Sequence, residues 1–182
     1  ESGNEQSLKV IQKGITVERQ EQGVAWTHAA GITMTNSFII CLPGETEAMV
    51  ENTIRYAKRL AGQMALFYLP VPYPGTDLYQ ECLKDGGLRK WDRWSEFLAI
   101  DFDNPIYINP LIGKERMKYW YKQAFIEYYK TPAVWVNNLK ALVRNGGVRR
   151  YMRGLNALRA LVSHAPTRGL KSPRPDVMKT AP

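Results

Sequence analysis

Phe38-Ile39-Ile40-Cys41-Leu42-Pro43-Gly44-Glu45-Thr46 joins five apolar residues to a chain-reversing pair and the opening of a helix. Five consecutive apolar side chains leave no polar face, so the run reads as a strand buried on both faces, the pattern of parallel sheets. Ile32-Thr33-Met34-Thr35 alternates just before it, which extends the expected strand to residues 32–42. Pro43-Gly44 ends the strand, because proline lacks the ladder N–H and glycine tolerates a left-handed turn. Thr46 then reads as an N-cap, and Val50, Ile54, Ala57 and Ala61 recur at helical spacing up to Gly62.

The same grammar repeats on either side. Residues 64–71 form a second apolar run that ends in a proline-rich loop from Pro70 to Gly75. Thr76 opens a helix to about Lys84, and Gly86-Gly87 stops it. Upstream, residues 5–13 read as a short helix with Leu8 and Ile11 on one side. Thr16 caps another helix that reaches about Ala30, with Gly31 at its C′ position and Gly23 weakening its middle. Helix, strand, helix, strand, helix with short connections argues for βαβ units and a parallel sheet. An isolated strand pair is marginal, and the chain opens without Met. Both features predict that it is the C-terminal part of a longer protein.

Residues 88–113 lose this order. Trp91, Trp94, Phe97 and Phe102 are mixed with Asp92, Asp101 and Asp103, and Pro105 and Pro110 mark a linker that packs on the sheet. From Lys114 the helical period returns, with Met117, Tyr121, Ala124 and Tyr128 on one face. After Pro132, Trp135, Leu139 and Leu142 align on the next helix. Beyond Gly146-Gly147, Val148, Tyr151, Met152, Leu155, Leu158 and Val162 form a third stripe, bordered by Arg149, Arg150, Arg153 and Arg159. Residues 166–182 have the composition of a disordered tail. The expected division is a sheet domain over 1–97, a linker over 98–113, a basic helical extension over 114–165 and the tail.

Composition narrows the class. The 182 residues are 45% hydrophobic and 23% charged, ordinary for a globular protein. No apolar run reaches the ~18–20 residues of a membrane span. The only cysteines, Cys41 and Cys82, exclude a disulfide framework and any site built from four cysteines of this chain. With no secretory leader in view, they suit a reducing, cytoplasmic setting. Residues 1–113 carry 10 Lys/Arg and 14 Asp/Glu; residues 114–182 carry 15 and 3, so the net +8 is concentrated in the second part. Such asymmetry speaks to partners. Residues 148–163 suit either an anionic membrane surface or docking on the sheet domain with arginines in solvent, docking being favoured. No nucleic-acid motif is present.

Four motifs in order resemble one family. Glu1-Ser2-Gly3-Asn4-Glu5 resembles the strand-end motif of radical S-adenosylmethionine (SAM) enzymes, and Gly14-Ile15-Thr16 with Ala30-Gly31-Ile32 resembles the unit that follows. Phe38 to Thr46 resembles the end of the family's fifth strand, usually Gly-Leu-Pro-Gly-Glu-Thr, with Cys41 standing where glycine is usual. Pro72-Tyr73-Pro74-Gly75-Thr76-Asp77-Leu78-Tyr79 resembles the loop after the sixth. Order and spacing match over roughly residues 1–90. The chain is most similar to the subgroup with an N-terminal cobalamin-binding domain, the anaerobic magnesium-protoporphyrin ester cyclase-like proteins.

The resemblance implies an α/β fold, the C-terminal part of a partial (βα)6 TIM-like barrel followed by an α-helical extension. It implies an enzyme in its full-length form. A [4Fe–4S] cluster, ligated by cysteines upstream of this chain, would cleave SAM to a 5′-deoxyadenosyl radical for methylation, cyclisation or rearrangement. This portion alone would be inactive. Cobalamin would belong to an upstream domain. The partners implied are a small-molecule substrate, the upstream part of the same chain and an electron donor such as flavodoxin or ferredoxin. Glu1 and Ser2 would bond the polar parts of SAM, against the alternative of a chain end with no role. Leu42, Pro43 and Gly44 would flank its adenine, or form a plain strand-to-helix turn. Pro70 and Tyr73 would line the adenine or substrate pocket, or serve packing.

Other residues read more plainly. Glu45 reads as a helix-start charge in preference to a catalyst, Cys41 as a small apolar filler in preference to a thiol approaching the adenosine, and Asp101 and Asp103 as linker residues in preference to an acid–base pair. His28 and His164 have no ligand-spaced partner, so no metal is assigned. The competing function is a non-catalytic basic module binding anionic membrane or nucleic acid.

Overall fold

The computed structural model of the chain describes residues 1–145, with side chains described to residue 142. The stripe at 148–163, its arginines, His164 and the tail lie outside the described residues. Six α-helices and two strands fall within them: α1 (Glu5–Val10), α2 (Val17–Ala29), β1 (Thr35–Ile39), α3 (Glu47–Leu60), β2 (Met64–Tyr68), α4 (Asp77–Lys84), α5 (Lys114–Tyr129) and α6 (Pro132–Asn145). A 3-10 turn, Trp94–Glu96, interrupts the linker. The fold is mixed α/β around a small parallel sheet.

Three helices start where their threonines predict. Thr16, Thr46 and Thr76 each accept a hydrogen bond from the N–H three residues on, at Arg19, Met49 and Tyr79. This satisfies one of the donors a helix start leaves free. α1 is shorter than expected, ending at Val10, and Gln12 turns the chain at φ +51°.

β1 and β2 pair in parallel, with Thr35 opposite Met64 and Ile39 opposite Tyr68. Both strands are shorter than the expected 32–42 and 64–71. The apolar runs continue past the ladder: Ile40 donates to the Tyr68 carbonyl (3.0 Å) and Leu69 to Ala99 (2.8 Å).

Burial on both strand faces does not hold within residues 1–145. Asn36, Phe38, Ala65 and Phe67 are buried, whereas Ser37 is exposed and Ile39, Leu66 and Tyr68 are partly so. α3 and α5 cover one face, and the opposite face keeps accessible apolar surface.

The covered face is aromatic. Phe38 and Phe67 are register partners and stack with centroids 5.4 Å apart. Tyr56 of α3 meets Phe38 edge-on, and Phe125 and Tyr128 of α5 meet Phe67 edge-on. The predicted stripes of α3 (Val50, Ile54, Ala57, Ala61) and α5 (Met117, Tyr121, Ala124, Tyr128) are the buried ones.

The stripe predicted for α6 is not its packing face. Trp135 and Leu139 are 50% and 62% exposed, and α6 instead buries Val134 and Asn138. Asn137 donates to Ala61 O (2.7 Å) and Asn138 to Gln63 O (2.9 Å). These amides satisfy carbonyls of the α3–β2 connection, and unpaired carbonyls there would be costly.

The segment after α4 packs closely despite its composition. Leu88 bridges Tyr107, and Cys82, Phe97, Ile106 and Tyr107 form a buried cluster.

Candidate functional site

The C-terminal end of β1 gathers the most buried polar groups. Leu42-Pro43-Gly44-Glu45 has the residue pattern of a type II turn, with proline second and a positive-φ glycine third. Gly44 has φ +75°, and Glu45 N–H donates to Leu42 O at 3.0 Å. A Cβ at Gly44 would meet nothing within 4 Å, so backbone conformation demands the glycine and the turn faces open space. Cys41 also has positive φ, +65°, with its side chain fully buried.

Glu45 departs from its expected role as a helix-start charge. It precedes the Thr46 cap, is 1% exposed and folds back on its own turn. Oε2 accepts from Leu42 N–H at 3.0 Å and Oε1 from the Ser7 hydroxyl at 2.5 Å. Burial pushes the carboxyl pKa up, opposed by hydrogen bonds from Ser7, Leu42, Cys41 and Ser2. The helix-start charge is Glu47, which bonds Arg116 and Trp120 of α5.

Residues 1–4 are sewn to the same corner. Glu1 donates to Ser37 O and accepts from Ile39 N–H, both at 2.8 Å. That is parallel pairing along the edge of β1 opposite β2. Ser2 lies 3.1 Å from the Thr53 hydroxyl, and Asn4 donates to Met49 O at 2.8 Å. A Cβ on Gly3 would lie 2.6 Å from Tyr56 Cβ, so only glycine permits this approach.

Of the seven residues predicted from the sequence, Glu1, Ser2, Leu42, Pro43 and Gly44 meet at this corner. Ser2, Leu42 and Pro43 are buried, Gly44 is exposed, and the Glu1 carboxylate pairs with Lys13 at 2.8 Å. Pro70 and Tyr73 follow β2. Pro70 is buried, and Tyr73 stacks on Phe97 with ring centroids 5.5 Å apart, beside Trp91 and Trp94.

Sequence reading missed Ser7 and Asn109. Asn109 is fully buried and donates to Leu42 O (2.7 Å) and Glu45 O (2.9 Å). Partners more than sixty residues away leave no periodic signal.

Cys41 and Cys82 are free and buried, and burial pushes both thiols up, Cys82 to about 12. Among the described residues no group of three or more His, Cys, Asp or Glu side chains is placed to hold a metal. No described helix is long and apolar enough to cross a membrane.

No family model matches the chain. It is 31% identical over 157 residues to an uncharacterized methyltransferase of Pyrococcus horikoshii, covering 85% of this chain and 33% of that protein. It is 22% identical over 170 residues to the anaerobic magnesium-protoporphyrin IX monomethyl ester cyclase of Rubrivivax gelatinosus, covering 83% and 29%. It is 32% identical over 78 residues to the tRNA-2-methylthio-N(6)-dimethylallyladenosine synthase of Alkalilimnicola ehrlichii, covering 42% and 17%. The chain therefore spans a third or less of the curated relatives it matches, and all three are named as enzymes.

Proposed function

We propose that this chain is the C-terminal portion of a radical SAM enzyme, contributing the last strands of a partial (βα)6 barrel and a helical extension. The observation that carries the reading is the turn at residues 42–45. A strand end, a fixed backbone and an open side at Gly44 come together there, next to the accessible face of the sheet. In α/β folds ligands gather at the carboxyl ends of strands. The relatives add support, since their names describe a methyltransferase, a cyclase and a methylthio-forming synthase.

The described residues fit one wall of a SAM site. Gly44, Glu1 and Tyr73 offer surface to a ligand, Leu42, Pro43 and Pro70 back them, and Ser2 holds the corner together through Thr53 and the Asn4 backbone. Bound SAM would supply the reactive carbon for methylation, cyclisation or rearrangement. These residues do not fit a [4Fe–4S] cluster, because both described cysteines are fully buried and 41 residues apart in sequence. In this reading the cluster ligands, and any cobalamin site, lie elsewhere in the full protein. Its partners are a small-molecule substrate and a one-electron donor of the flavodoxin or ferredoxin kind.

The test uses the longest natural reading frame containing this chain, reconstituted anaerobically with iron and sulfide. Supplied with SAM and a reductant, it is expected to release 5′-deoxyadenosine or S-adenosylhomocysteine. Absence of both products from a protein with an intact cluster spectrum overturns the reading.

A further inference from the structure

We propose that Asn109 is a positioning residue that fixes the ligand-facing turn at residues 42–45 from the segment leading into α5; this rests on the function proposed above. Its side chain has no exposed surface and makes three hydrogen bonds. Nδ2 donates to Leu42 O (2.7 Å) and Glu45 O (2.9 Å), and Oδ1 accepts from Leu111 N–H (2.8 Å). Two carbonyls on one side and an N–H on the other leave one orientation for the amide.

The two carbonyls matter for different reasons. Leu42 O already closes the turn with Glu45 N–H, so Asn109 takes its second lone pair. Glu45 O precedes the N-cap of α3 and lies outside the helical ladder. Asn109 thus holds both ends of the turn whose third residue is Gly44. Its own carbonyl accepts from Ile112 and Gly113 N–H (3.1 and 2.8 Å), where α5 begins. One residue therefore ties the start of α5 to the backbone that would flank the ligand.

Asn138 is the natural control. It is also a buried asparagine donating to two carbonyls, Gln63 O and Val134 O (both 2.9 Å), but at the opposite end of the sheet. Asn109→Asp replaces a donor with an acceptor facing two carbonyls, and Asn109→Ser is the milder variant should the first fail to fold. Hydrogen exchange on this chain is the first readout. Asn109→Asp is expected to speed exchange at Leu42 and Glu45, the two amides hydrogen-bonded within the turn, at least tenfold over Asn138→Asp, while strand amides change alike in both. Equal rates at the turn overturn the proposal.

The second readout uses the full-length enzyme. Asn109→Asp is expected to raise the KM for SAM at least tenfold with kcat within threefold, and Asn109→Ser less, whereas Asn138→Asp leaves KM unchanged. A KM within twofold of wild type despite faster turn exchange also overturns the proposal. An unsubstituted enzyme with an intact cluster that cleaves no SAM overturns the functional reading instead, and the exchange comparison still decides whether Asn109 fixes the turn.

Discussion

Cys41 occupies a left-handed backbone conformation, φ +65°, with its thiol fully buried. For a residue with a Cβ this region costs about 1–2 kcal/mol, and glycine escapes most of that cost. The usual glycine of the resembled family is therefore explained by conformation. In this chain the sulfur fills space and the backbone carries strain. Cys41→Ala empties the site and keeps the strain; Cys41→Gly empties it further and releases the strain. The glycine variant is expected to be the more stable of the two by about 1 kcal/mol in urea unfolding, reversing their order in a helix. An alanine variant of equal or greater stability would contradict the strain. The sequence made Pro43-Gly44 legible as a turn because each residue has one conformational use. It could not reveal the roles of Glu45 and Asn109, whose partners depend on tertiary structure.

At the level of elements, α3 and α5 are joined by Glu47. Arg116 donates to it through Nε (2.9 Å) and Nη2 (2.5 Å), and Trp120 through Nε1 (2.9 Å). Hydrogen bonds from Arg116, then Trp120, lower the Glu47 pKa from 4.5 to about 2. A depressed carboxyl pKa stabilises the fold above the unfolded value and loses that contribution as pH falls through the folded one. The stability difference between wild type and Glu47→Gln is therefore expected to be constant above about pH 5.5 and to shrink from there toward pH 2. Urea unfolding across that range checks it, and a difference independent of pH would refute the assignment. Glu45 has the opposite sign. Its raised pKa makes its contribution fall as pH rises, so the difference curve for Glu47 is the informative one. Element starts were legible because threonine caps act within three residues. The face of α6 was not: an apolar stripe gives no hint that Asn137 and Asn138 will face the core to satisfy carbonyls.

Across the described molecule, the two edges of the sheet are treated differently. Beside β1, the backbone of Glu1 makes two ladder-type hydrogen bonds, so pairing continues on that side. The outer edge of β2 is closed by other means. Tyr129 of α5 places its hydroxyl against both Ala65 N–H (3.3 Å) and Ala65 O (3.2 Å), and Leu69 N–H is taken by Ala99. At Ala65 and Leu69 the outer edge is therefore occupied by a side chain and a loop, not by a further strand. The parallel pair was legible from two apolar runs separated by a helix. Closure of the edge was not, because it depends on one hydroxyl sixty-four residues from its partner. Unpaired edge groups invite another chain. Tyr129→Phe keeps the ring and removes the hydroxyl, leaving the Ala65 N–H and carbonyl to water or to a second molecule. It is expected to cost about 1 kcal/mol in unfolding and to shift sedimentation toward larger species as concentration rises. Unchanged stability and sedimentation would mean that the helix covers the edge without that hydroxyl.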